Sequence, residues 1–160
     1  MEIRPATVDD REAIREVARD TWHDTYEELD DDTVDETIDD WYGEDVLERA
    51  LSAAGTALLV AETDDGIVGF THGVVHGDEG DVLRMYVHPD HQRDGVGTAL
   101  HERLRDDLED FNMNRMRAID FASNEGGRAF YEGLGFEKTG EGDVEIGGEK
   151  RDEVVYTLEL

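Results

Sequence analysis

The chain has 160 residues, 43 of them Asp or Glu and 15 Lys or Arg, for a formal charge of −28; the length suits a single domain over residues 1–160 and leaves no room for a second. The charge excludes sequence-independent binding to DNA, RNA or anionic lipid, whose phosphates would be repelled, so any anion must be held locally. The absence of cysteine excludes disulfides, thiol nucleophiles and thiolate metal sites, and Leu, Ile, Val and Phe at 37 of 160 positions stand just above the ~20% below which highly charged chains stay disordered.

Ile3 and Ala6 open the chain as a short strand that stops at Thr7. Asp9 and Asp10 then cap a helix whose apolar positions Ile14, Val17, Ala18 and Trp22 share a face. Residues 30–32, all Asp, form a loop before a second short helix carrying Val34, Ile38 and Trp41, and a further turn holds residues 46–51. From Thr56 the period changes. Residues 57–61 are a continuous apolar run, which Asp64, Asp65 and Gly66 turn back into residues 67–70. Gly77 to Gly80 break the chain before a third strand, 82–87, ended by Pro89. A helix with Leu100, Leu104 and Leu108 on one face follows. Then come a strand over 116–121, a helix over 124–134 closed by Gly135, a strand through Phe136, Val144 and Ile146, a turn at Gly147 and Gly148, and a last strand over 154–160. The order βααβββαβαββ, mixing hairpins with helix-linked crossovers, predicts an α/β fold with a mixed sheet flanked by helices.

The segment from Val87 to Leu100, reading Val, His, Pro, Asp, His, Gln, Arg, Asp, Gly, Val, Gly, Thr, Ala, Leu, delivers a strand to a helix N-terminus. Backbone N–H groups there lack intrahelical acceptors and carry the positive end of the helix dipole, so they bind a phosphate without lysine. Gly95 and Gly97 permit close approach and positive φ. No Gly-Lys-Ser/Thr closes a P-loop, and Leu100 stands where a dinucleotide fingerprint needs its third glycine.

Gln92, Gly95 and Gly97 in this setting resemble the acyl-coenzyme A motif of the GCN5-related N-acetyltransferase (GNAT) family. Asn124, Tyr131 and the run Gly133, Leu134, Gly135, Phe136 are similar to that family's second signature. The resemblance covers most of the chain and implies the single-domain GNAT fold with a mixed, mostly antiparallel sheet. It implies that Met85, Tyr86 and Val87 belong to the strand whose backbone meets the pantetheine arm of acetyl-CoA. Gln92, Arg93, Asp94, Gly95, Val96, Gly97 and Thr98 would form the pyrophosphate loop, and Asn124 would hydrogen-bond the arm. Tyr131 would protonate the departing thiolate, against the alternative of a core aromatic beside Phe130 and Leu134. Asp81 stands where some members carry a catalytic base, against the alternative of a solvated turn residue beside Gly80. Asp120 replaces a residue that is more often apolar, as a substrate anchor or a surface substitution. Acidic Asp94 would set repulsion beside the pyrophosphate and make cofactor affinity depend on salt. A neutral amine attacks the thioester directly in such chemistry, so no metal is expected. The histidines agree: His72 and His76, four apart in a strand, lie roughly 13 Å from each other, too far to share a zinc, and His88 and His91 flank a loop proline.

The stretch from Thr21 to Tyr26 is similar to a subgroup containing spermine and spermidine N-acetyltransferases. Trp22, Tyr26, Trp41 and Tyr42 with Asp24, Glu27 and Glu28 would suit a cationic amine, against the alternative that both tryptophans are core. Three readings stay open: a small-molecule amine or polyamine acetyltransferase, a protein N-terminal or lysine acetyltransferase, and a non-catalytic acyl-CoA-binding sensor. The family's habit of pairing through its last strands makes Val154, Val155 and Tyr156 an expected homodimer edge. With 13 arginines, only Lys138 and Lys150, and acid in nearly every segment, the surface reads as halophile-like, since salt shortens the Debye length to ~3 Å at 1 M and relieves self-repulsion; an ordinary acidic protein is the alternative. No apolar run reaches the ~18–20 residues of a membrane span and residues 1–7 lack a signal-peptide pattern, so a cytoplasmic protein is expected.

Overall fold

A computed structural model describes residues 1–160. The elements run β1 (Glu2–Pro5), α1 (Arg11–Thr25), α2 (Asp31–Tyr42), α3 (Glu44–Ser52), β2 (Thr56–Thr63), β3 (Gly66–His76), β4 (Glu79–Val87), α4 (Val96–Asp110), β5 (Arg115–Phe121), α5 (Glu125–Gly133), β6 (Glu137–Ile146) and β7 (Glu149–Glu159). All seven strands join one sheet in the order β1-β2-β3-β4-β5-β7-β6. Every pairing is antiparallel except β4 with β5, which gives the mixed α/β sheet the element order predicts. No helix is long and apolar enough to cross a membrane.

Two departures from the expected order have local causes. Residues 46–51 are not an isolated turn but part of a full helix, α3, which buries Leu47 and ties Glu48 to Arg11 of α1 by an ion pair. Gly80 does not break the chain. The β3–β4 hairpin turns earlier and Gly80 lies inside β4 opposite Val75, where glycine is needed because a Cβ would stand 2.6 Å from the Leu108 side chain of α4.

The sheet separates two apolar clusters. Ile14, Val17, Trp22 and Ile38 from α1 and α2 pack with Val60, Phe70 and Phe121 on one face. Leu100, Leu104 and Leu108 of α4 pack with Val82, Met116, Ala118 and Tyr131 on the other. At ~25 cal/mol per Å² of apolar area, these two layers supply most of the drive to fold. Val154 and Tyr156 are 8% and 3% exposed inside the second cluster, and β7 sits between β5 and β6. The expected dimer edge is therefore interior, because the last strand inserts into the sheet.

Of the sheet's three register irregularities, the one between β3 and β4 positions the site. Parallel β4 and β5 pair only from Glu79↔Arg115 to Val82↔Ala118. At that point β4 slips register against β3 between His72 and Gly73, a bulge that increases local twist and bends the strand. Beyond Val82 and Ala118 the strands part. Residues 83–87 keep β3 on one side and have no strand on the other.

Candidate active site

A cavity of about 800 Å³ fills the gap between the parted strands. Its first wall is β4. Met85 and Val87 line it and pack toward the α4-side cluster. Tyr86 turns the opposite way, into the α1–α2 cluster, where its hydroxyl accepts a hydrogen bond from Trp22 Nε1 at 3.0 Å and burial pushes its phenol up. Gln92 finishes the strand: its amide Nε2 donates to the Val87 carbonyl at 3.1 Å, which also accepts from Thr21 Oγ1 at 3.3 Å.

The second wall is the turn into α4. Arg93 and Gly95 both have left-handed backbone, with φ of 71° and 84°, which costs little at glycine and is uncommon at arginine. Gly95 is the N-cap of α4 and has no side chain to accept a hydrogen bond. The first N–H to find an intrahelical acceptor is that of Ala99, on the Gly95 carbonyl at 3.0 Å, so the donors of Val96, Gly97 and Thr98 are open. Gly97 serves another purpose than backbone freedom, since a Cβ there would stand 3.1 Å from the Phe130 ring of α5. Gly95, Gly97, Thr98 and Arg93 line the cavity. Val96 offers only its N–H, its side chain being 4% exposed in the core, and Asp94 is exposed and outside the lining.

The third wall is the end of β5 and the start of α5. Asn124 caps α5, accepting from Gly127 N at 2.9 Å, and its Nδ2 donates to Asp120 Oδ2 at 3.1 Å. Asp120 Oδ1 accepts from the Phe121 N–H at 2.8 Å. A Cβ on Gly127 would collide with the Asp120 carboxylate, so the Asp120–Asn124 pair requires glycine at that position. Burial raises the Asp120 carboxyl to about 6, against hydrogen bonds from the Phe121 N–H, Asn124 and Tyr26 that hold it down. Beside it, Tyr131 stacks on Tyr156 at 5.5 Å and is 6% exposed. It is thus both a core aromatic and a cavity residue. Burial, reinforced by the Asp120 charge, holds its phenol well above the usual range.

Besides Asp94, two residues singled out in the sequence are not brought here. Asp81 lies in the paired part of β4, where it meets His76 Nε2 at 2.7 Å and Arg117 Nη1 at 3.8 Å, and it is outside the cavity lining. Trp22 is fully buried, edge-on to Tyr26, Trp41 and Phe121, so it forms core behind the cavity; of that pair only Tyr26 lines it. Conversely, the sequence reading passed over Arg84, which lines the cavity. Its signal was a lone charged residue in the apolar stretch 82–87.

The comparisons agree with this geometry. The acetyltransferase (GNAT) domain family matches residues 54–138. An L-amino acid N-acyltransferase, MnaT, of Escherichia coli K12 is 33% identical over 100 residues, covering 54% of each chain. The ribosomal protein bS18-alanine N-acetyltransferase of the same organism is 42% identical over 59 residues, covering 37% of this chain and 40% of its own. The chain thus spans about half or less of these curated relatives. Among solved structures, the PaiA N-acetyltransferase of Thermoplasma acidophilum in complex with coenzyme A superposes with a TM-score of 0.81 at 24% identity, over 95% of this chain and 96% of that one. A GCN5-related N-acetyltransferase from Rhodopseudomonas palustris gives 0.82 at 20% identity, over 99% and 95%; both establish the fold. With the family matched over more than half its length, the chain belongs to the GNAT acetyltransferases.

Proposed function

We propose that this chain transfers the acetyl group of acetyl-coenzyme A to the primary amine of a small molecule. One observation carries the reading. Where β4 and β5 part, a phenol with no hydrogen-bond partner in the protein, Tyr131, and a carboxyl held near neutrality, Asp120, face one cavity.

The residues fit the co-substrate. A diphosphate suits the open N–H groups at the start of α4, and Arg93, which has no acidic partner, adds a guanidinium. The unpartnered edge of β4 at Met85 and Val87 suits the amides of a pantetheine arm, and Gln92 keeps that edge in place. Bound there, the thioester supplies an activated acetyl carbon: the C–N bond to the amine forms as the C–S bond breaks. Asp120 receives the amine's proton, since a carboxyl of about 6 is ionised at neutral pH yet basic enough to accept. Tyr131, kept protonated by burial, supplies the thiolate's proton. Asn124 orients Asp120.

The polyamine reading loses its aromatic surface, because Trp22 is buried and Arg84 lies over the Trp41 ring. A second reading, acetylation of a protein N-terminus, draws support from the bS18-alanine relative. Thiol release from acetyl-coenzyme A, assayed across amino acids, polyamines, aminoglycosides and short peptides in about 2 M KCl to screen the surface acids, tests all three. Without cysteine the protein adds no thiol background. Turnover with small amines supports the proposal, turnover with peptides alone assigns the chain to proteins, and coenzyme A binding without release from any amine assigns it to sensing.

A further inference from the structure

We propose that Arg84 is the specificity residue of the acceptor site and that the acceptor is an amine bearing a carboxylate, an amino-acid-like zwitterion. The proposal rests on the acetyl-transfer reading and names its substrate class.

In a chain with 43 acidic residues, four of the 15 cationic side chains make no ion pair: Arg49, Arg84, Arg93 and Lys150. Two of the four line the cavity. Arg93 belongs to the turn before α4, where a diphosphate accounts for it. Arg84 lies on the other side of β4, toward α2, so it calls for a second anion.

Its setting is built. Arg84 is the second residue past the point where β4 and β5 part. Its guanidinium carbon lies 4.6 Å from the Trp41 ring centroid and 5.9 Å from that of Tyr42, and Nη1 donates to the Leu83 carbonyl at 2.7 Å. Stacking and that one bond fix the plane of the group; Nε and Nη2 have no acceptor within hydrogen-bond geometry, the nearby Tyr42 hydroxyl being itself buried and unpartnered. Neither nitrogen belongs to the buried unpartnered atoms, and the residue lines the cavity. A fixed guanidinium with a free edge matches a carboxylate through two parallel hydrogen bonds.

The surrounding groups leave that edge free. His72, the cross-strand neighbour of Arg84, has a buried Nε2 without a partner, and burial with the nearby guanidinium drives it down to about 4, so it is neutral. Glu153 is coupled to Arg84 but lies beyond ion-pair distance. Asp24 and Glu125 line the same cavity without pairing to Arg84. A polycation would meet a fixed positive charge here, and like charges repel. A zwitterion seats its carboxylate on Arg84 and directs its amine across the gap toward Asp120 on β5.

The test compares L-methionine, L-phenylalanine and L-glutamate with their α-carboxamides and with spermidine, in the parent, Arg84→Gln and Arg84→Lys. In the parent, at least one free acid is expected to exceed its amide at least tenfold in kcat/KM. Arg84→Gln abolishes that preference by raising KM for the acid without a matching rise for the amide, and Arg84→Lys restores part of it. Spermidine outperforming every acid, or a preference unchanged in Arg84→Gln, overturns the proposal while leaving acetyl transfer in place. If no amine releases thiol, the transfer reading fails by itself. Calorimetry of the same acids against the coenzyme A complex then decides on Arg84: a Kd raised at least tenfold in Arg84→Gln upholds the subsite, and no binding to the parent ends it. Coenzyme A affinity, equal in all three proteins, verifies that the variants are folded.

Discussion

Asp81 and Asp120 lie on adjacent parallel strands and differ in everything but residue type. Asp81 stands where β4 and β5 still pair, opposite Arg117, with His76 and Arg117 around its carboxylate. Asp120 stands where the strands have parted, with no cation in contact, and burial holds its carboxyl near 6. A carboxylate held in the paired ladder by His76 and Arg117 lies outside the cavity and faces no acceptor amine there. One held in a cavity by neutral donors keeps its basicity. In the proposed reaction, reactivity follows from strand pairing: Asp81, where the ladder persists, serves structure, and Asp120, where it opens, serves as the proton acceptor.

The largest effect should come from removing the basic group on the open side. Asp120→Asn is expected to lower kcat by about 10²–10⁴-fold, the usual worth of a positioned proton acceptor. The parent's kcat/KM should fall as pH drops through about 6, because the carboxyl must be ionised to accept a proton, and this limb should vanish in the variant. Stability runs the other way. A folded carboxyl at about 6 binds its proton more tightly than in the unfolded chain, so its burial is harmless in acid and costs up to about 3 kcal/mol as pH rises through 6. The Tm of Asp120→Asn relative to the parent should therefore be higher at pH 8 than at pH 5. An equal difference at both pH values would show that Asp120 is not titrating in the fold.

Tyr131→Phe should cost less, about 10–10²-fold in kcat, because a thiolate of pKa ~8.5 leaves without much help from an acid. The ring stays in its stack with Tyr156, so coenzyme A affinity measured by calorimetry should not change. A loss of cofactor binding instead would make Tyr131 a wall of the cavity and leave the proton to another donor.

How much of this could be read from the chain alone depends on the range of the interactions that decide it. The turn from Gln92 to Thr98 was legible because Gly95 carries its own backbone requirement and the open donors of α4 follow from helix geometry. Asn124 and Tyr131 stood out only through their resemblance to the family's second signature, and Asn124 spends its side chain on capping α5 and holding Asp120 before any ligand contributes. The choice between the two aspartates was not legible, because it turns on where two strands, separated in sequence by α4, cease to pair. The same holds for Arg84, whose freedom from ion pairs is a property of the assembled cavity. Trp22 shows the converse: its place on the apolar face of α1 already allowed a core role, and only the neighbouring rings decided for it.

The smallest expected effect lies on the paired side. Asp81→Asn should leave kcat/KM within about twofold while lowering stability by about 1.5–3 kcal/mol, the range for a lost hydrogen bond to a charged group. One Asp81 oxygen already lacks a hydrogen-bond partner, which keeps the figure at the low end. The informative quantity is the ratio of rate loss to stability loss, measured on the same preparations as Asp120→Asn. If ladder pairing separates structural from reactive acids, the two variants fall at opposite extremes: large rate loss with a stability difference that improves from pH 5 to pH 8 on the open side, and negligible rate loss with destabilisation on the paired side. A rate loss at Asp81 matching that at Asp120 would mean that a proton leaves the amine through the paired half of the sheet. His76, the exposed neighbour of Asp81, would then be the next group to replace.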